Sequence, residues 1–348
     1  MCEWLLEWDR TQIVELFTSW GEPAFRAQQL WDWIYQSLAD DFDSMRNLPL
    51  ALRSRLVDHF RLDSLRLGAQ EASDDGETIK LLFELVDGRT IETVLMRYAH
   101  RCTVCISTQV GCAMGCPFCA TGQGGFERNL AKGEIVAQVL YAARAFRDQG
   151  AALSNVVVMG MGEPLVNYRA TLAAIRRLMD EKGFNMGARR FTLSTVGFVP
   201  GIQRLSREGL QVGLAVSLHA PTDARRNELV PLNRRFPLGQ LLPACRDFVE
   251  RTGRRVTFEY ALVQEVNDWP EQAEELANLV RGLRCHVNLI PLNPAPGSPF
   301  VASEPSRVRA FQEVLERRRV PTTVRLRRGI DIQAGCGQLR TRFRPSLR

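Results

Sequence analysis

From residue 103 onward, short apolar segments rich in β-branched residues alternate with amphipathic segments of helical period. Buried parallel strands have this composition, and the segments between them are long enough to be crossover helices. The predicted strands are 103–108, 155–160, 190–195, 212–217, 256–262 and 285–290, with a seventh possible at 321–327. The predicted helices are near 132–148, 168–181, 200–208, 238–252, 270–281 and 304–318. Six βα units are too few for a closed eight-stranded barrel, so we predict an α/β fold with a partial (β/α)6 barrel.

The first hundred residues have a different pattern. Amphipathic helices are predicted at 24–35, directly after Pro23, and at about 49–60. Two alternating segments joined by Asp87-Gly88, a favoured two-residue turn, predict a β-hairpin over 78–96. The expected organisation is an N-terminal helical accessory domain at 1–68, a β-hairpin extension at 69–99 and the barrel at 100–348.

The charge of the chain is unevenly distributed. Residues 1–100 carry 18 Asp/Glu against 10 Lys/Arg, although the whole chain has a net charge of +6. The remainder is therefore strongly basic, and nearly all of its positive charge is arginine, which suits a phosphate-rich partner. An arginine-biased genome would give the same composition. The candidate phosphate contacts at a rim of the barrel mouth are Arg317, Arg318, Arg319, Arg325, Arg327 and Arg328.

The chain has no sign of membrane insertion or secretion. No apolar stretch approaches the roughly 18 residues that a spanning helix needs. The first residues are acidic and amphipathic, unlike a secretory signal. We therefore expect a cytoplasmic protein without membrane association, and by default a monomer.

Three cysteines crowd the loop after the first predicted strand of the barrel, where barrel enzymes place active-site loops. Cys112, Cys116 and Cys119 form a C-x3-C-x2-C sequence among glycines. Three thiolates suit three irons of a cubane cluster, whereas an electron-transfer cluster and a structural zinc site both normally take four protein ligands. The triplet therefore predicts a cluster with one open iron, where a molecule can bind and be activated.

Polar groups also follow the other predicted strands. Gly162-Glu163-Pro164 ends the second one, where glycines admit a ligand and the carboxylate can accept hydrogen bonds from an ammonium group. The further strand-end residues are Ser194, Ser217, Leu218, His219 and Asn293. Each alone is also compatible with a cap or a turn, but in series they indicate one site at the barrel mouth.

Three more residues become informative only in combination. Glu92 lies inside a hairpin strand, a position that by itself usually marks a solvated face. Cys336, in Gly335-Cys336-Gly337, is a modest indication of a reactive thiol, and Cys105 lies seven residues before the triplet.

The triplet, with Phe118 before its last cysteine, resembles the radical S-adenosylmethionine (SAM) superfamily. With Cys105, the Gly-Glu-Pro sequence at 162–164, Ser217-Leu218-His219 and Gly335-Cys336-Gly337, the chain closely resembles RlmN-type RNA adenine-C2 methyltransferases, in the same order from about residue 23 to about 340. The resemblance implies a [4Fe-4S] cluster on the triplet and two SAM molecules per turnover. It implies that Glu163 binds the SAM amino group, and that the strand-end residues contact the rest of the cofactor.

The resemblance also implies the roles of the three remaining residues. Cys336 would take a methyl group from one SAM, and a 5′-deoxyadenosyl radical from a second SAM would remove a hydrogen from it. The methylene radical would add to adenine, and Cys105 would release the product by forming a disulfide with Cys336. Glu92 matches the family's proposed proton acceptor.

The implied substrates are 23S ribosomal RNA, at the peptidyl-transferase centre, and the adenosine 3′ of the anticodon in transfer RNA. A reducing electron donor of the flavodoxin or ferredoxin type is also implied. Two alternatives stay open. The sister family that methylates adenine C8 shares almost every catalytic residue, and a non-enzymatic zinc-ribbon RNA binder could use Cys102 and Cys105 with the triplet. The resemblance needs no role for Cys102, which is either an alternative disulfide partner or, as we expect, a bystander.

Overall fold

The computed structural model describes residues 3–62, 65–294, 298–325 and 328–339. Its helices are α1 (Arg10–Ser19), α2 (Phe25–Tyr35), α3 (Leu50–His59), α4 (Ala120–Gln123), α5 (Lys132–Arg147), α6 (Tyr168–Met179), α7 (Val199–Leu205), α8 (Asp223–Leu229), α9 (Leu238–Thr252), α10 (Pro270–Leu279) and α11 (Pro305–Arg317). Its strands are β1 (Glu3–Trp4), β2 (Phe60–Arg61), β3 (Leu65–Ala72), β4 (Thr78–Leu85), β5 (Thr90–Tyr98), β6 (Arg101–Cys105), β7 (Gln109–Gly111), β8 (Phe126–Asn129), β9 (Leu153–Val158), β10 (Phe191–Thr195), β11 (Gly213–Ser217), β12 (Val256–Leu262), β13 (Cys285–Pro291) and β14 (Thr322–Val324).

One ten-stranded sheet dominates the molecule, in the order β14-β13-β12-β11-β10-β9-β6-β5-β4-β3. Within this sheet, every pairing from β6 to β14 is parallel, and helices connect the successive parallel strands. The predicted strand 256–262 and the predicted helix 238–252 match β12 and α9 to the residue. The predicted α/β fold class, with its partial barrel, is confirmed.

The predicted hairpin is part of the same sheet. Strands β4 and β5 pair antiparallel on either side of Asp87-Gly88, and β5 pairs antiparallel with β6, so that Val94 lies opposite Cys105. Strand β3 adds a further edge strand that the sequence did not predict, because its residues are mostly exposed and its apolar pattern is weak. The hairpin therefore borders the first parallel strand.

Helices α1 to α3 form the small module expected at the N-terminus. Its aromatic residues are largely core, with Phe17 and Trp31 almost fully buried. Arg177 of α6 connects this module to the barrel, because its guanidinium stacks over Trp31 at 4.5 Å and donates to the Tyr35 hydroxyl at 2.9 Å.

Candidate active site

The cysteine triplet lies on a loop whose shape requires glycine. Gly111 has a φ of +72°, and a Cβ atom there would overlap the carbonyl of Gly125. This close approach lets the Cys112 amide donate to Gly125 O at 2.7 Å, which closes the loop on itself. Cys112, Cys116 and Cys119 all line one cavity.

The donor set fits a cubane cluster. Burial raises the pKa of Cys112 to about 12 and also raises the pKa of Cys116 and Cys119, so the thiols need the positive charge of a metal to ionise. Among the described residues, no three His, Cys, Asp or Glu side chains converge closely enough to hold a single metal ion. A cubane places its irons at separate corners, so its thiolates can line a cavity without converging.

Glu163 lies in the same cavity, directly after β9. Its Oε2 accepts from Val196 N at 2.8 Å and its Oε1 from Leu165 N at 3.1 Å. Burial raises the pKa of Glu163 to about 7, against these hydrogen bonds, which lower it. A buried carboxylate with this pKa favours a cationic partner, such as an ammonium group.

Of the other predicted strand-end residues, Ser194, Ser217, His219 and Asn293 line the same cavity. The Asn293 Oδ1 atom is buried without a hydrogen-bond partner among the described residues. A buried acceptor of this kind indicates a donor on a ligand. Leu218 differs from the other predicted residues, because it is fully buried and its carbonyl accepts from Arg226 Nε at 3.0 Å.

His219 is held as a neutral ring. Its Nδ1 accepts from the Ala261 amide at 3.0 Å, and its ring contacts Phe118 edge-on at 4.9 Å. Burial lowers its pKa to about 3. His219 can therefore offer an uncharged Nε2 group to a ligand, but no positive charge at neutral pH.

Backbone carbonyls in the loop of Cys336 accept hydrogen bonds from the helix that follows the cluster loop. Gly337 O accepts from Ala120 N at 2.7 Å, and Leu339 O accepts from Thr121 Oγ1 at 2.5 Å. Both donors belong to α4, which begins immediately after Cys119. Cys336 consequently lines the cluster cavity, although more than two hundred residues separate it from the triplet.

Cys336 also lines a second cavity, and Cys105 is in its wall. The two cavities share Met159, Ile290, Asn293, Arg325, Cys336 and Leu339. Burial, with a contribution from Cys336, raises the pKa of Cys105 to about 12. Cys336 thus borders both the cluster cavity and the cavity of the second cysteine. Cys102 borders neither.

Glu92 lies near this loop but not in the cluster cavity. It is buried and lines a third cavity together with Gln338, two residues after Cys336. In β5 it shares a face with Val94, which lines the cavity of Cys105, because alternate strand residues point the same way. The wall of the third cavity also includes Lys80, which donates to Ile332 O at 2.5 Å and so attaches the hairpin to the loop.

Two buried residues, one in the cavity wall and one behind it, were not predicted from the sequence. Glu259 is buried within β12, lines the cluster cavity and accepts from Asn288 Nδ2 at 2.8 Å. As the only carboxylate in an otherwise apolar strand, it had a detectable signal. Arg226 is fully buried behind the wall, and nothing in the sequence around it distinguishes it from a surface residue of α8.

Three of the six arginines predicted for the rim are not at the barrel mouth. The run Arg317–Arg319 lies between the end of α11 and the start of β14 at Thr322, so it is at the N-terminal edge of the parallel sheet. The cluster loop and Cys336 are at the opposite edge. Within the run, Arg318 pairs with Glu274 at 3.1 Å. Arg327 lies outside the described residues.

Arg325 and Arg328 are closer to the site. Arg325 lines both the cluster cavity and the second cavity, and Arg328 lines the second. Arg328 stacks over Tyr98 at 4.4 Å and donates to Arg97 O at 3.0 Å. This segment therefore bridges from β14 to the hairpin, and Arg325 faces the inside of the barrel instead of a solvated rim.

A substitution tests the close packing beneath the cavity. A Cβ atom at Gly160 would lie 2.7 Å from Ile106 O, a backbone atom that cannot move aside easily. We expect Gly160→Ala to lower the free energy of unfolding by about 1–3 kcal/mol. Gly239→Ala is the control, since nothing lies within 4 Å of its Cβ position. Chemical denaturation measures both, and equal stabilities of the two variants would contradict the packing argument.

Comparison with known proteins supplies the family. The radical SAM superfamily model matches residues 106–280, and the model of the ribosomal RNA large subunit methyltransferase N-terminal domain matches residues 4–62. The chain is 52% identical to the probable dual-specificity RNA methyltransferase RlmN of Chloroflexus aurantiacus, over 96% of this chain and 92% of that protein. The chain belongs to the RlmN family. It is also 52% identical to the dual-specificity RNA methyltransferase RlmN 1 of Myxococcus xanthus, over 97% of this chain and 94% of that protein.

A solved structure supports the RlmN-family fold. The crystal structure of a radical SAM methyltransferase from Sphaerobacter thermophilus superposes with a TM-score of 0.96 at 54% identity, covering 98% of this chain and 100% of that one. Within the described ranges, no helix is long and apolar enough to cross a membrane.

Proposed function

We propose that this RlmN-family protein methylates C2 of adenosine in 23S ribosomal RNA, at the peptidyl-transferase centre, and the adenosine 3′ of the anticodon in transfer RNA. The observation that carries the proposal is the position of Cys336, between a cavity lined by three cysteines and a cavity lined by Cys105. An ordinary methyltransferase has no use for either feature.

The chemistry of the substrate explains why two such cavities are useful. Adenine C2 is an electrophilic carbon without a lone pair, so it cannot attack the methyl group of a sulfonium ion. A thiol can, and Cys336 lines the cavity proposed to hold SAM. After losing its proton, the sulfur would attack the methyl carbon, so that a sulfur–carbon bond to Cys336 forms as the bond to the sulfonium breaks and S-adenosylhomocysteine leaves.

When bound to Cys112, Cys116 and Cys119, the [4Fe-4S] cluster supplies the electron with which a second SAM yields the radical that activates this methyl group. Glu163 would hold the amino group of SAM, whose positive charge suits the buried carboxylate. The buried Asn293 Oδ1 and the neutral His219 ring offer polar contacts to the rest of the molecule. The apolar parts of the wall exclude water.

Release of the product falls to two residues outside the cluster cavity. Glu92 would accept the proton that leaves C2 as the ring becomes aromatic again, and the unpaired electron of the adduct would return to the oxidised cluster. Cys105 would then attack the sulfur of Cys336, so that a sulfur–sulfur bond forms as the sulfur–carbon bond to the product breaks. The released carbon takes up a proton and becomes the methyl group. The place of Glu92 in the third cavity, beside the loop of Cys336, supports its role as the proton acceptor.

The parts of the chain have different proposed roles. We propose that residues 1–68 form the accessory domain for RNA, 69–99 the extension that holds the Cys336 loop and 100–348 the catalytic core. The target adenosine must be unstacked to reach the cavity. A flavodoxin- or ferredoxin-type donor would reduce the cluster of a monomeric enzyme in the cytoplasm.

Methylation at C8 is the second candidate function, since the sister family shares the same cysteines. The N-terminal match to the ribosomal RNA large subunit methyltransferase domain supports the C2 assignment. Digestion and nucleoside mass spectrometry decide between them after anaerobic reaction with RNA from a strain that lacks the enzyme. We expect 2-methyladenosine in both ribosomal and transfer RNA, and 8-methyladenosine alone would refute the assignment.

A further inference from the structure

Arg226 of α8 has a fully buried side chain beside the cluster cavity. Its guanidinium donates four hydrogen bonds, to Leu218 O at 3.0 Å, Val196 O at 2.6 Å, Ser217 O at 3.1 Å and Asn233 Oδ1 at 2.7 Å. None of these four acceptors, which all lie in the described part of the chain, carries a charge. Buried charges normally have a partner of opposite sign, because desolvation costs several kcal/mol.

A neighbouring carboxylate attracts this charge but does not hydrogen-bond to it. Asp223 lies close by, but its Oδ1 accepts from Asn233 Nδ2 at 2.9 Å and from Leu238 N at 2.8 Å. Burial lowers the pKa of Arg226 to about 10, which still leaves the guanidinium charged at neutral pH. A positive charge is thus held beside the cavity without a carboxylate bonded to it.

Cys116 lies near the helix that carries this charge. The cysteine is buried and packs in one apolar cluster with Leu229 and Val230, at the end of the helix that carries Arg226. Val196, whose carbonyl accepts from Arg226, packs against the same apolar cluster and lines the cavity together with Cys116. An iron–sulfur cluster held by Cys116 would therefore lie across this wall from Arg226.

Arg226 also holds the wall of the cavity in place. Val196 is bound on both sides, since its amide donates to Glu163 at 2.8 Å and its carbonyl accepts from Arg226 at 2.6 Å. Loss of the guanidinium would therefore disturb the support of Glu163 as well as remove a charge. A useful experiment must separate these two effects.

We propose that Arg226 is a positioning residue whose fixed positive charge stabilises the reduced form of the iron–sulfur cluster at Cys112, Cys116 and Cys119. The inference rests on the proposed function, because it requires that cluster. Reduction adds one electron from the external donor and breaks no bond, so the cluster becomes more negative by one charge. A nearby cation in a low-dielectric site favours the more negative state and raises the reduction potential.

The test compares anaerobically reconstituted wild type, Arg226→Gln and Arg226→Lys by redox titration followed by electron paramagnetic resonance. At the wild-type midpoint we expect about tenfold less reduced cluster relative to oxidised in Arg226→Gln, a shift of about 59 mV for one electron. Arg226→Lys keeps the charge but not the fork of hydrogen bonds, so it should titrate near wild type while melting at a lower temperature. The control Arg225→Gln removes a neighbouring, more exposed arginine paired with Glu228, and should change neither property.

Each outcome bears on the inference. Equal shifts in the Gln and Lys variants, no shift in either, or loss of the cluster in both would reduce Arg226 to a structural role and overturn the proposal. Loss of the cluster in Arg226→Gln alone would support it, since both variants lose the same hydrogen-bond geometry. A wild-type protein that binds no iron would overturn the proposed function itself, which separates the two failures.

Discussion

Replacing Cys336 by alanine is expected to abolish RNA methylation, with a loss of roughly 10⁴-fold or more. This sulfur has two proposed roles, because it carries the methyl group and stays bonded to the product until Cys105 releases it. No other thiol lines both cavities among the described residues. Nucleoside mass spectrometry of the RNA measures the loss. Intact-protein mass spectrometry after incubation with SAM should show a single added methyl group on wild type and none on the variant.

The control for this substitution is Cys102→Ala. Cys102 is buried in β6, its amide donates to Ser154 Oγ at 3.2 Å, and it lines neither cavity. It should keep methylation within a few-fold of wild type. Substantial product from Cys336→Ala would show that the methyl group never resides on this residue, and the mechanism would have to be abandoned.

Replacing Cys105 by alanine is expected to stop the reaction at a later point. The methylene group can still add to the base, but no sulfur is left to displace Cys336. The enzyme should therefore accumulate as a covalent adduct with RNA, visible as a band of lower mobility in a denaturing gel, while free product falls by roughly 10³-fold or more.

Formation of the adduct should require Cys336. The double variant Cys105→Ala, Cys336→Ala should form none, because the bond runs through Cys336. Treatment with ribonuclease should leave one modified nucleotide on the peptide that contains residue 336. Clean turnover by Cys105→Ala would disprove the disulfide step, even if methylation itself were confirmed.

The regular core of the fold was predictable because its signals are local. Strand β12 and helix α9 have the expected bounds, since buried β-branched and amphipathic segments differ in period. Strand β3 and helix α8 were not predicted, because neither has such a local signal. The former is an exposed edge, and the latter is a seven-residue helix too short to show a period.

The site was predictable where a motif carried it and not where long-range packing did. Cys112 and Glu163 stand in recognisable sequences, and both line the cavity. The place of Arg226 depends on carbonyl groups at the ends of two other strands, which no local pattern specifies. Arg317–Arg319 are the opposite case. Their composition predicted a place at the rim of the barrel mouth, but the order of α11 and β14 puts them at the N-terminal edge of the sheet.

Isotope labelling of the transferred group tests the central claim most directly. With SAM bearing a trideuterated methyl group, the route through Cys336 removes one deuterium before the carbon reaches adenine, and one ordinary hydrogen takes its place. Mass spectrometry of the digested RNA should then show 2-methyladenosine with two deuteria, and the third deuterium should be found in 5′-deoxyadenosine. A product that retains all three deuteria would mean that the methyl group moved intact, and would contradict the account.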